Sequence, residues 1–391
     1  MALGRLMVIV PDRISDLAAK GEITERYYNP GAAFDEVHLV LTNDDAPPPD
    51  AVDALVGGVP ARMYNLPSGR GALMAGSISP LLVRSWLRRA VALAEHLDPD
   101  LVRCHGAQLN AMAARAINRS TGTPYVVSVH GLPEHRTFGG RGGVRAQLLG
   151  RTRERVARRG VAGAAAVLAV YEALVPWLAE LGGPTPEVAY NVVCPDGLVR
   201  QQDRTPTPVL RVVNVGRHIT GKLPLNLLRA VAELRDVHVT LIGDGPLTGE
   251  LRAEVDRLAI GDRCRFEAAV GNRALCGRLA EFDVFALHNE HHGIPKSCLE
   301  AMLAAVPVVA NRLPPGVAPE LDGDVCVLVE DTADGYRRAL ELLRDPEARR
   351  RVGDAGRARA DERWSPHATE RRVVAIYERV VGADGQRRRT K

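Results

Sequence analysis

The feature of this 391-residue sequence that most restricts its fold is a repeated alternation of short apolar segments with longer amphipathic ones. The short segments are rich in branched residues and have the length of buried strands, and the amphipathic segments have the length of helices. Near-continuous apolar strands that alternate with helices are typical of parallel sheets covered on both faces. The pattern therefore predicts an α/β fold.

The alternation occurs twice along the chain. In the first half the predicted strands are 5–11, 36–42, 61–66, 101–106, 125–131 and 165–171. In the second half they are 210–216, 237–243, 263–270, 283–288, 306–312 and 324–330, with helices at 224–235, 247–259, 273–281, 296–304 and 334–344. We expect two Rossmann-like domains whose parallel sheets face each other across a cleft.

The boundary between the two halves is marked by the polar segment 199–209, which contains two prolines and lacks periodicity. Such a segment predicts a linker. The expected domains are therefore 1–198 and 210–367, and the helix predicted near the carboxyl terminus, within 368–391, completes the first domain.

Composition fits a soluble globular protein and argues against nucleic-acid binding. Apolar residues make up 46% and charged residues 25% of the chain, and the net charge is only +4. Aromatic residues, at 4%, are too few for the base-stacking surfaces of single-strand binders. Only four of the 51 basic residues are lysine, a bias typical of bacterial proteins from GC-rich genomes.

Cysteine usage and hydropathy predict a cytoplasmic protein. The six cysteines form no CxxC pair, which in a chain of this size indicates buried thiols in a reducing compartment. The amino terminus lacks the apolar stretch of a signal peptide. The richest apolar segment, 160–181, is interrupted by Glu172 and Pro176. It therefore falls short of the roughly 20 apolar residues that a membrane span requires.

The basic segment 141–160 carries seven arginines and one glutamate. Two interpretations remain open for it. It is either a solvated helix face or acceptor-side loop, or a peripheral contact with anionic lipid at the inner face of the membrane.

The first loop of chemical interest reads VGRHITGK within 215–231 and follows a predicted strand. Ligands of such sheets lie beyond the carboxyl ends of the strands, at helix amino termini. Arg217 and Lys222 directly precede a predicted helix, where their charge adds to that of the free backbone amides and makes an anion site. Two solvated loop cations are the alternative.

The second loop contains Gly243, Gly245 and Gly249 within IGDGPLTGE. Their GxGxxxG spacing is one residue longer than the dinucleotide fingerprint. A structural role in a tight strand-to-helix turn is the better interpretation.

The third loop reads LHNEHHGIPKSCLEAM over 287–302. Its histidines resemble a metal site, but they are predicted in a loop, and the sequence has no HExxH pattern. Gly293 lets a ligand approach the backbone, and Lys296 lies in the first turn of a predicted helix. Glu300 lies on the same face as Lys296, where its carboxylate can accept two sugar hydroxyls. An ordinary exposed Lys–Glu pair is the alternative.

The order of these motifs closely resembles the carboxy-terminal domain of retaining, family-four glycosyltransferases of the GT-B fold (glycosyl transferases group 1). The resemblance covers 205–380 and comprises GRxxxxK, GDGP and GIPKxxLEAM, each between a strand and a helix, followed by VPVVAN and PPGVAPE. It implies the GT-B fold and a hexosyltransferase-type enzyme. Such an enzyme moves a sugar from a nucleotide diphosphate donor to a hydroxyl of a glycan, lipid-linked or natural-product acceptor. UDP is favoured over GDP as the donor nucleotide, and the sequence leaves the donor base open.

The resemblance also implies roles for residues at matching positions. Arg217 and Lys222 match the family's diphosphate-binding pair, and Glu300 matches the glutamate that holds the nucleotide ribose. No cofactor and no metal are expected, because enzymes of this fold neutralise the diphosphate with Arg, Lys and a helix amino terminus. The expected donor-binding residues are Gly216, Glu290, His292, Gly293, Ile294, Pro295, Lys296 and Glu300.

In the first half the resemblance is thinner. His130 fits the histidine beside the donor sugar and is grouped with Arg217 and Lys222 as catalytic. His105 fits a neighbouring cleft position and, with Gly21, is expected on the acceptor side. Asn191 resembles the asparagine that precedes the domain crossover.

The sequence departs from the family pattern at two places. His292 stands where relatives usually carry a glutamate that touches the transferred sugar, so the donor sugar stays open, with Glu290 as a substitute two residues away. The loop after the first strand has isolated Gly21 and Gly31 instead of paired glycines. Acceptor binding is therefore expected to be organised differently.

Other functional classes remain open. A GT-B-fold sugar-nucleotide epimerase or hydrolase would use the same diphosphate loops, and a sugar-nucleotide-binding protein without transfer activity would accommodate His292. A dehydrogenase is disfavoured by the glycine spacing. The expected partners are a nucleotide-sugar donor and a small-molecule or glycan acceptor, and no nucleic acid.

Overall fold

The computed structural model describes residues 3–69, 71–72, 79–132, 143–191, 197–201 and 208–389. The chain forms two compact units, Met1–Val192 with Thr369–Lys391, and Val193–Ala368. Among the features discussed above, Cys194, linker residues 202–207 and residues 141–142 of the basic segment lie outside the described residues.

The first unit is built on a parallel sheet with the order β3-β2-β1-β4-β5-β6-β7 in the described part of the chain. Its strands are β1 (Arg5–Val10), β2 (Glu36–Leu41), β3 (Ala61–Asn65), β4 (Leu101–His105), β5 (Tyr125–Val129), β6 (Ala166–Ala169) and β7 (Glu187–Val188). Five consecutive residues of β1 are buried, so both faces of the sheet are covered, as its unbroken apolar run indicates. The two-residue β7 is too short to give a sequence pattern and was not predicted.

The helices of the first unit pack on this sheet. Before the second unit, the described residues include α1 (Ile14–Ala19), α2 (Pro49–Val56), α3 (Arg84–Leu97), α4 (Leu109–Thr121), α5 (Gly143–Val161) and α6 (Val175–Glu180), with 3₁₀ turns at Pro30–Ala32, Pro80–Val83 and Glu172–Leu174. The basic segment lies mostly on α5, and the lipid contact proposed for it stays a prediction. Among the helices of the described residues, none combines the length and apolarity that a membrane crossing requires.

The second unit is built on a parallel sheet with the order β10-β9-β8-β11-β12-β13 among the residues described. Its strands are β8 (Leu210–Val215), β9 (Val237–Ile242), β10 (Cys264–Glu267), β11 (Val284–Leu287), β12 (Val308–Asn311) and β13 (Val327–Val329). Two strands are shorter than the apolar runs suggested, since β10 ends at Glu267 and β13 begins only at Val327.

In the second unit, the helices of the described residues are α7 (Leu225–Glu233), α8 (Thr248–Arg257), α9 (Asn272–Arg278), α10 (Lys296–Leu303), α11 (Ala333–Leu342) and α12 (Pro346–Arg363), with 3₁₀ turns at Leu279–Glu281 and Pro319–Leu321. Local capping explains two of the starts. The Thr332 side chain accepts a hydrogen bond from the Gly335 amide before α11, and that of Asp345 accepts from the Glu347 amide before α12.

The last helix, α13 (Pro366–Arg389), returns the chain to the first unit. Val373, Ile376 and Tyr377 of α13 are buried in the same apolar core as Leu6 and Val8 of β1. Burial of these side chains, at about 25 cal/mol per Å² of apolar surface, holds the helix on the first unit.

Strand order locates the ligand-binding edge of each sheet. In both units the order reverses between the first and fourth strands, β1 and β4 in one and β8 and β11 in the other. Parallel sheets of this kind bind ligands outside the carboxyl ends of the strands at that reversal. The loops 216–224 and 288–295 follow β8 and β11, and His105 ends β4.

Candidate functional site

In the second unit, the loops after β8 and β11 are joined by hydrogen bonds. The Glu290 amide donates to the Gly221 carbonyl (2.8 Å), and His291 Nε2 lies 3.1 Å from the Thr220 carbonyl oxygen. Gly221 has a φ of +77°, and a Cβ at this position would lie 3.1 Å from His291 Nε2. This backbone conformation and close approach favour glycine. The structure thus brings the first and third sequence motifs together.

The glycine turn after β9 packs against the loop after β8. The Gly216 amide donates to the Ile242 carbonyl at 3.1 Å. A Cβ on Gly243 would lie 2.0 Å from the Gly216 carbonyl oxygen, and one on Gly245 would lie 2.4 Å from that of His218. Both glycines are therefore needed for backbone packing, which supports a structural role for this turn.

Arg217 and Lys222 lie in the loop that leads from β8 into α7. The Arg217 side chain is exposed and that of Lys222 is half-buried. The Lys222 amide donates to the Ile219 carbonyl (3.0 Å), which closes a turn just before the helix. Cationic side chains at this place add to the positive end of the α7 dipole.

Two buried asparagines shape the loop after β11, and the sequence reasoning missed both. Asn289 Nδ2 donates to the carbonyls of His291 (2.9 Å) and Gly293 (3.1 Å). Asn311, which ends β12, accepts from the Asn289 amide (2.8 Å) and donates to the Asn289 carbonyl (3.1 Å). The sequence signal that could have identified them is a polar residue at or just after the end of a buried apolar strand. Gly293, at φ +85°, donates its amide to Val317.

Helix α10 begins where this loop ends. Pro295 precedes it, and in the part of the chain that is described no side chain caps its amino terminus. Ser297 Oγ donates to the Val215 carbonyl (3.2 Å), which places the first turn of α10 beside the end of β8. Ile294, just before this turn, is 8% exposed. The first-turn amides of α10 therefore lie at the strand reversal, where free helix amides are suited to binding an anion.

Glu300 is 1% exposed, so the Lys296–Glu300 pair is not the exposed surface pair considered above. Glu300 Oε1 accepts a hydrogen bond from Asn272 Nδ2 (2.7 Å) and lies 3.9 Å from Lys296 Nζ. Burial raises the pKa of Glu300, and the Lys296 charge and the Asn272 hydrogen bond act in the opposite direction. Asn272 begins α9, and as a lone polar residue in a turn it gave no sequence signal.

Three side chains of the described residues have the composition of a metal site. The ligand atoms of His288, Glu290 and Asp331 lie within 4.8 Å of one another. However, His288 Nε2 faces Glu290 Oε1 (3.5 Å) while Nδ1 faces Asp331 Oδ1 (3.3 Å). The opposite nitrogens of one ring thus face different carboxylates, whereas three ligands of one ion would direct one nitrogen and both carboxylates at the same point. His291 and His292 are not part of this cluster.

His292 is half-buried in the same loop. Its Nδ1 is buried and has no hydrogen-bond partner among the described residues. Burial lowers the pKa of His292, and His291 acts in the same direction. The side chain therefore offers a neutral imidazole at the position where the motif resemblance predicts a glutamate.

The first unit brings His105 and His130 together. His105 ends β4, His130 follows the neighbouring strand β5, and their rings stack with centroids 4.6 Å apart and planes 12° apart. Desolvation lowers the pKa of both rings, that of His130 to about 3, and the Arg103 guanidinium acts in the same direction. Gly21 lies in the turn after α1 with a φ of +69°.

Comparison with known proteins covers both units. Residues 25–194 match the model of a glycosyl transferase 4-like domain, and residues 210–345 match that of glycosyl transferases group 1. The lipopolysaccharide core biosynthesis glycosyltransferase LpsD of Rhizobium meliloti is 29% identical over 187 residues, 47% of this chain and 54% of LpsD. The match therefore spans only about half the length of LpsD. The 2-deoxystreptamine glucosyltransferase of Streptomyces kanamyceticus is 27% identical over 336 residues, 78% of this chain and 84% of that protein.

Solved structures share the fold over almost the whole chain. Sucrose-phosphate synthase from Thermosynechococcus elongatus has a TM-score of 0.73 at 17% identity, and the alignment covers 97% of this chain and 100% of that one. At this identity the likeness concerns the fold alone. The two family matches and the two parallel sheets show that the chain belongs to the group 1 glycosyltransferases, with their two-domain GT-B fold.

Proposed function

We propose that this protein is a retaining glycosyltransferase that moves a sugar from a nucleoside diphosphate sugar to an acceptor hydroxyl. The observation that carries the proposal is the carboxyl edge of the second sheet. There, the loop with Arg217 and Lys222 is hydrogen-bonded to the loop that leads into α10, whose amino terminus is uncapped within the described residues. One turn into α10 lies the buried carboxyl of Glu300.

In the proposed reaction, the carboxyl edge of the second sheet stabilises the diphosphate as it leaves. As the bond between the anomeric carbon and the diphosphate oxygen breaks, negative charge grows on the phosphate. Arg217, Lys222 and the first-turn amides of α10 supply positive charge held in place before the reaction, which is the main source of rate enhancement in such sites. Glu300 would accept hydrogen bonds from the ribose hydroxyls and orient the donor.

We propose that no metal ion takes part. Arg217, Lys222 and the α10 amides carry the charge that a divalent ion would otherwise supply. His288, the nitrogen ligand of the one metal-like cluster found among the described residues, already faces Glu290 and Asp331. Turnover is therefore expected to be unchanged by EDTA.

Retention of configuration is part of the proposal and rests on the resemblance in motif order. A UDP donor in preference to a GDP donor is also proposed. Acceptors of two classes are supported by names of relatives, since LpsD is named for the lipopolysaccharide core and the Streptomyces protein for 2-deoxystreptamine. Both are polyhydroxylated molecules, so the proposed acceptor group is a hydroxyl of a glycan or of an aminocyclitol-type natural product.

The test is an assay of UDP and GDP sugars with and without acceptors from both classes. We expect nucleotide release that depends on the acceptor, and a product whose anomeric configuration, read by NMR, equals that of the donor. Release or epimerisation that needs no acceptor would indicate a hydrolase or epimerase. Donor binding without turnover across the panel would indicate a binding protein.

His292→Glu is expected to change the preference among donor sugars about ten- to hundredfold, because a carboxylate accepts charge-assisted hydrogen bonds from sugar hydroxyls that a neutral imidazole does not. The measurement is the ratio of kcat/KM between pairs of donors. His291→Glu is the matched control on the same loop, and its donor ratios should stay within about twofold of wild type. Equal ratios in the His292 variant and wild type would exclude this residue from sugar selection.

A further inference from the structure

A chain of three polar side chains in the first unit ends at His130. The Tyr27 hydroxyl donates a hydrogen bond to Asn191 Oδ1 at 3.1 Å. The same hydroxyl oxygen lies 3.2 Å from His130 Nδ1. Tyr27 and His130 are 103 positions apart and Tyr27 and Asn191 are 164 apart, so only the folded unit brings them together.

The number of protons available to these three side chains determines which nitrogen of His130 carries a hydrogen. A tyrosine hydroxyl has one proton, and here it is directed to Asn191 Oδ1. The hydroxyl oxygen can then only accept from His130, so Nδ1 must carry the ring proton. In a neutral imidazole the other nitrogen, Nε2, is then an acceptor.

His130 is neutral because of where it lies. Its ring stacks on that of His105 and is removed from water, which disfavours the charged imidazolium. The buried guanidinium of Arg103 lies nearby, where its Nε donates to Ser128 Oγ (3.1 Å) and its Nη1 to the Tyr27 carbonyl (3.3 Å). The pKa of His130, lowered to about 3, agrees with this arrangement. Arg103 therefore also holds the backbone of Tyr27 beside the ring.

The acceptor nitrogen of His130 is left for a ligand. Nε2 is buried and has no hydrogen-bond partner in the described parts of the chain. A buried acceptor without a partner is unfavourable by about 1–3 kcal/mol unless a donor reaches it. A hydroxyl group is a donor that a sugar offers.

We propose that Tyr27 and Asn191 are positioning residues that fix His130 as the Nδ1–H tautomer, so that Nε2 accepts a hydrogen bond from a hydroxyl of a bound sugar. The sugar contact rests on the proposed function, whereas the tautomer does not. The assignment predicts selectivity among sugars. A sugar with fluorine in place of that hydroxyl has no hydrogen to donate at this position, so it cannot form the hydrogen bond to Nε2.

The test is long-range ¹H–¹⁵N NMR of the full chain with ¹⁵N-labelled histidine, without any donor. The signal of His130 is assigned among the 11 histidines by its loss in His130→Gln. In the wild type we expect a protonated Nδ1 and an unprotonated Nε2. In Asn191→Leu the Tyr27 hydroxyl loses its acceptor and donates to Nδ1 instead, so the proton should move to Nε2.

Controls separate this role from a structural one. Tyr28→Phe alters the neighbouring buried tyrosine, which packs on His105 with its ring centroid 5.2 Å away, and it should leave the His130 tautomer unchanged. Asn191→Leu should keep UDP binding while lowering turnover about ten- to hundredfold. A wild-type His130 protonated on Nε2, or an Asn191→Leu spectrum identical to wild type, would overturn the tautomer assignment. A changed tautomer with unchanged turnover would overturn only the sugar contact.

Discussion

Lys222→Ala is expected to lower kcat about 100- to 1000-fold, the loss typical of removing one preorganised charge-stabilising group from a transition state. Lys222 closes the turn before α7 through its backbone amide, which alanine retains. The neighbouring Gly221, with its φ of +77°, is untouched. The melting temperature should therefore stay close to that of the wild type.

The matched control lies at the other end of the same helix. Arg235 is an exposed cation that follows α7, whereas Lys222 precedes it. Arg235→Ala removes the same charge from the same unit but from the negative end of the helix dipole. Its kcat should remain within about twofold of wild type. Wild-type turnover in Lys222→Ala would remove this residue from the diphosphate site.

Glu300→Gln is expected to weaken binding of UDP or GDP about ten- to hundredfold and to leave inorganic pyrophosphate binding unchanged. A carboxylate accepts charge-assisted hydrogen bonds from the ribose hydroxyls, and an amide offers only one weaker acceptor. Pyrophosphate has no ribose. Gln keeps an oxygen for Asn272 Nδ2, which donates to Glu300 Oε1 in the wild type (2.7 Å).

The pH dependence of nucleotide binding by the wild type follows from the raised pKa of Glu300. Nucleotide binding uses the ionised carboxylate, so wild-type affinity should fall as the pH drops through this raised pKa, at higher pH than for an ordinary glutamate. Glu300→Gln should lack this dependence. The pKa of Glu300 is higher in the folded state than in the unfolded state. Ionisation of Glu300 therefore lowers the free energy of unfolding as the pH rises from the unfolded-state pKa to the folded-state pKa. The free variant should therefore melt no lower than wild type at neutral pH.

Calorimetric titration of both variants with UDP, GDP and pyrophosphate separates the two roles. Lys222→Ala should weaken all three ligands, since each carries a diphosphate group. Glu300→Gln should weaken only the nucleotides. An equal loss for pyrophosphate and UDP in Glu300→Gln would contradict the ribose assignment.

The strands were predictable because each is a branched apolar run with turns on both sides, as in β1 and β9. Two elements, β7 and α12, were not predicted, and each has a physical reason. β7 has two residues, too few for any period. The helix α12 buries mostly small residues, among them Ala348, Gly353 and Ala360, so an apolar stripe is hard to see in its arginine-rich sequence. At Gly353 a Cβ would lie 2.3 Å from the Ala305 carbonyl oxygen, which explains the small residue there.

Candidate site residues can be picked out from the sequence where they lie close together in the chain. Arg217 with Lys222, and Lys296 with Glu300, are each close in sequence, and their roles stay predictions. The metal-like appearance of LHNEHHG was harder to judge from sequence. The third member of that cluster, Asp331, is distant in the chain, and the directions of the two His288 nitrogens are known only from the fold.

Local periodicity and motif spacing are enough to predict the α/β alternation, its occurrence in two halves of the chain, and the motif order typical of group 1 glycosyltransferases. Which polar groups meet depends on the tertiary structure. Asn272 reaches Glu300 across 28 positions, Asn311 reaches Asn289 across 22, and Tyr27 reaches Asn191 across 164. These partners depend on strand order in the sheets, and an apolar period specifies that a strand is buried without specifying which strand lies beside it.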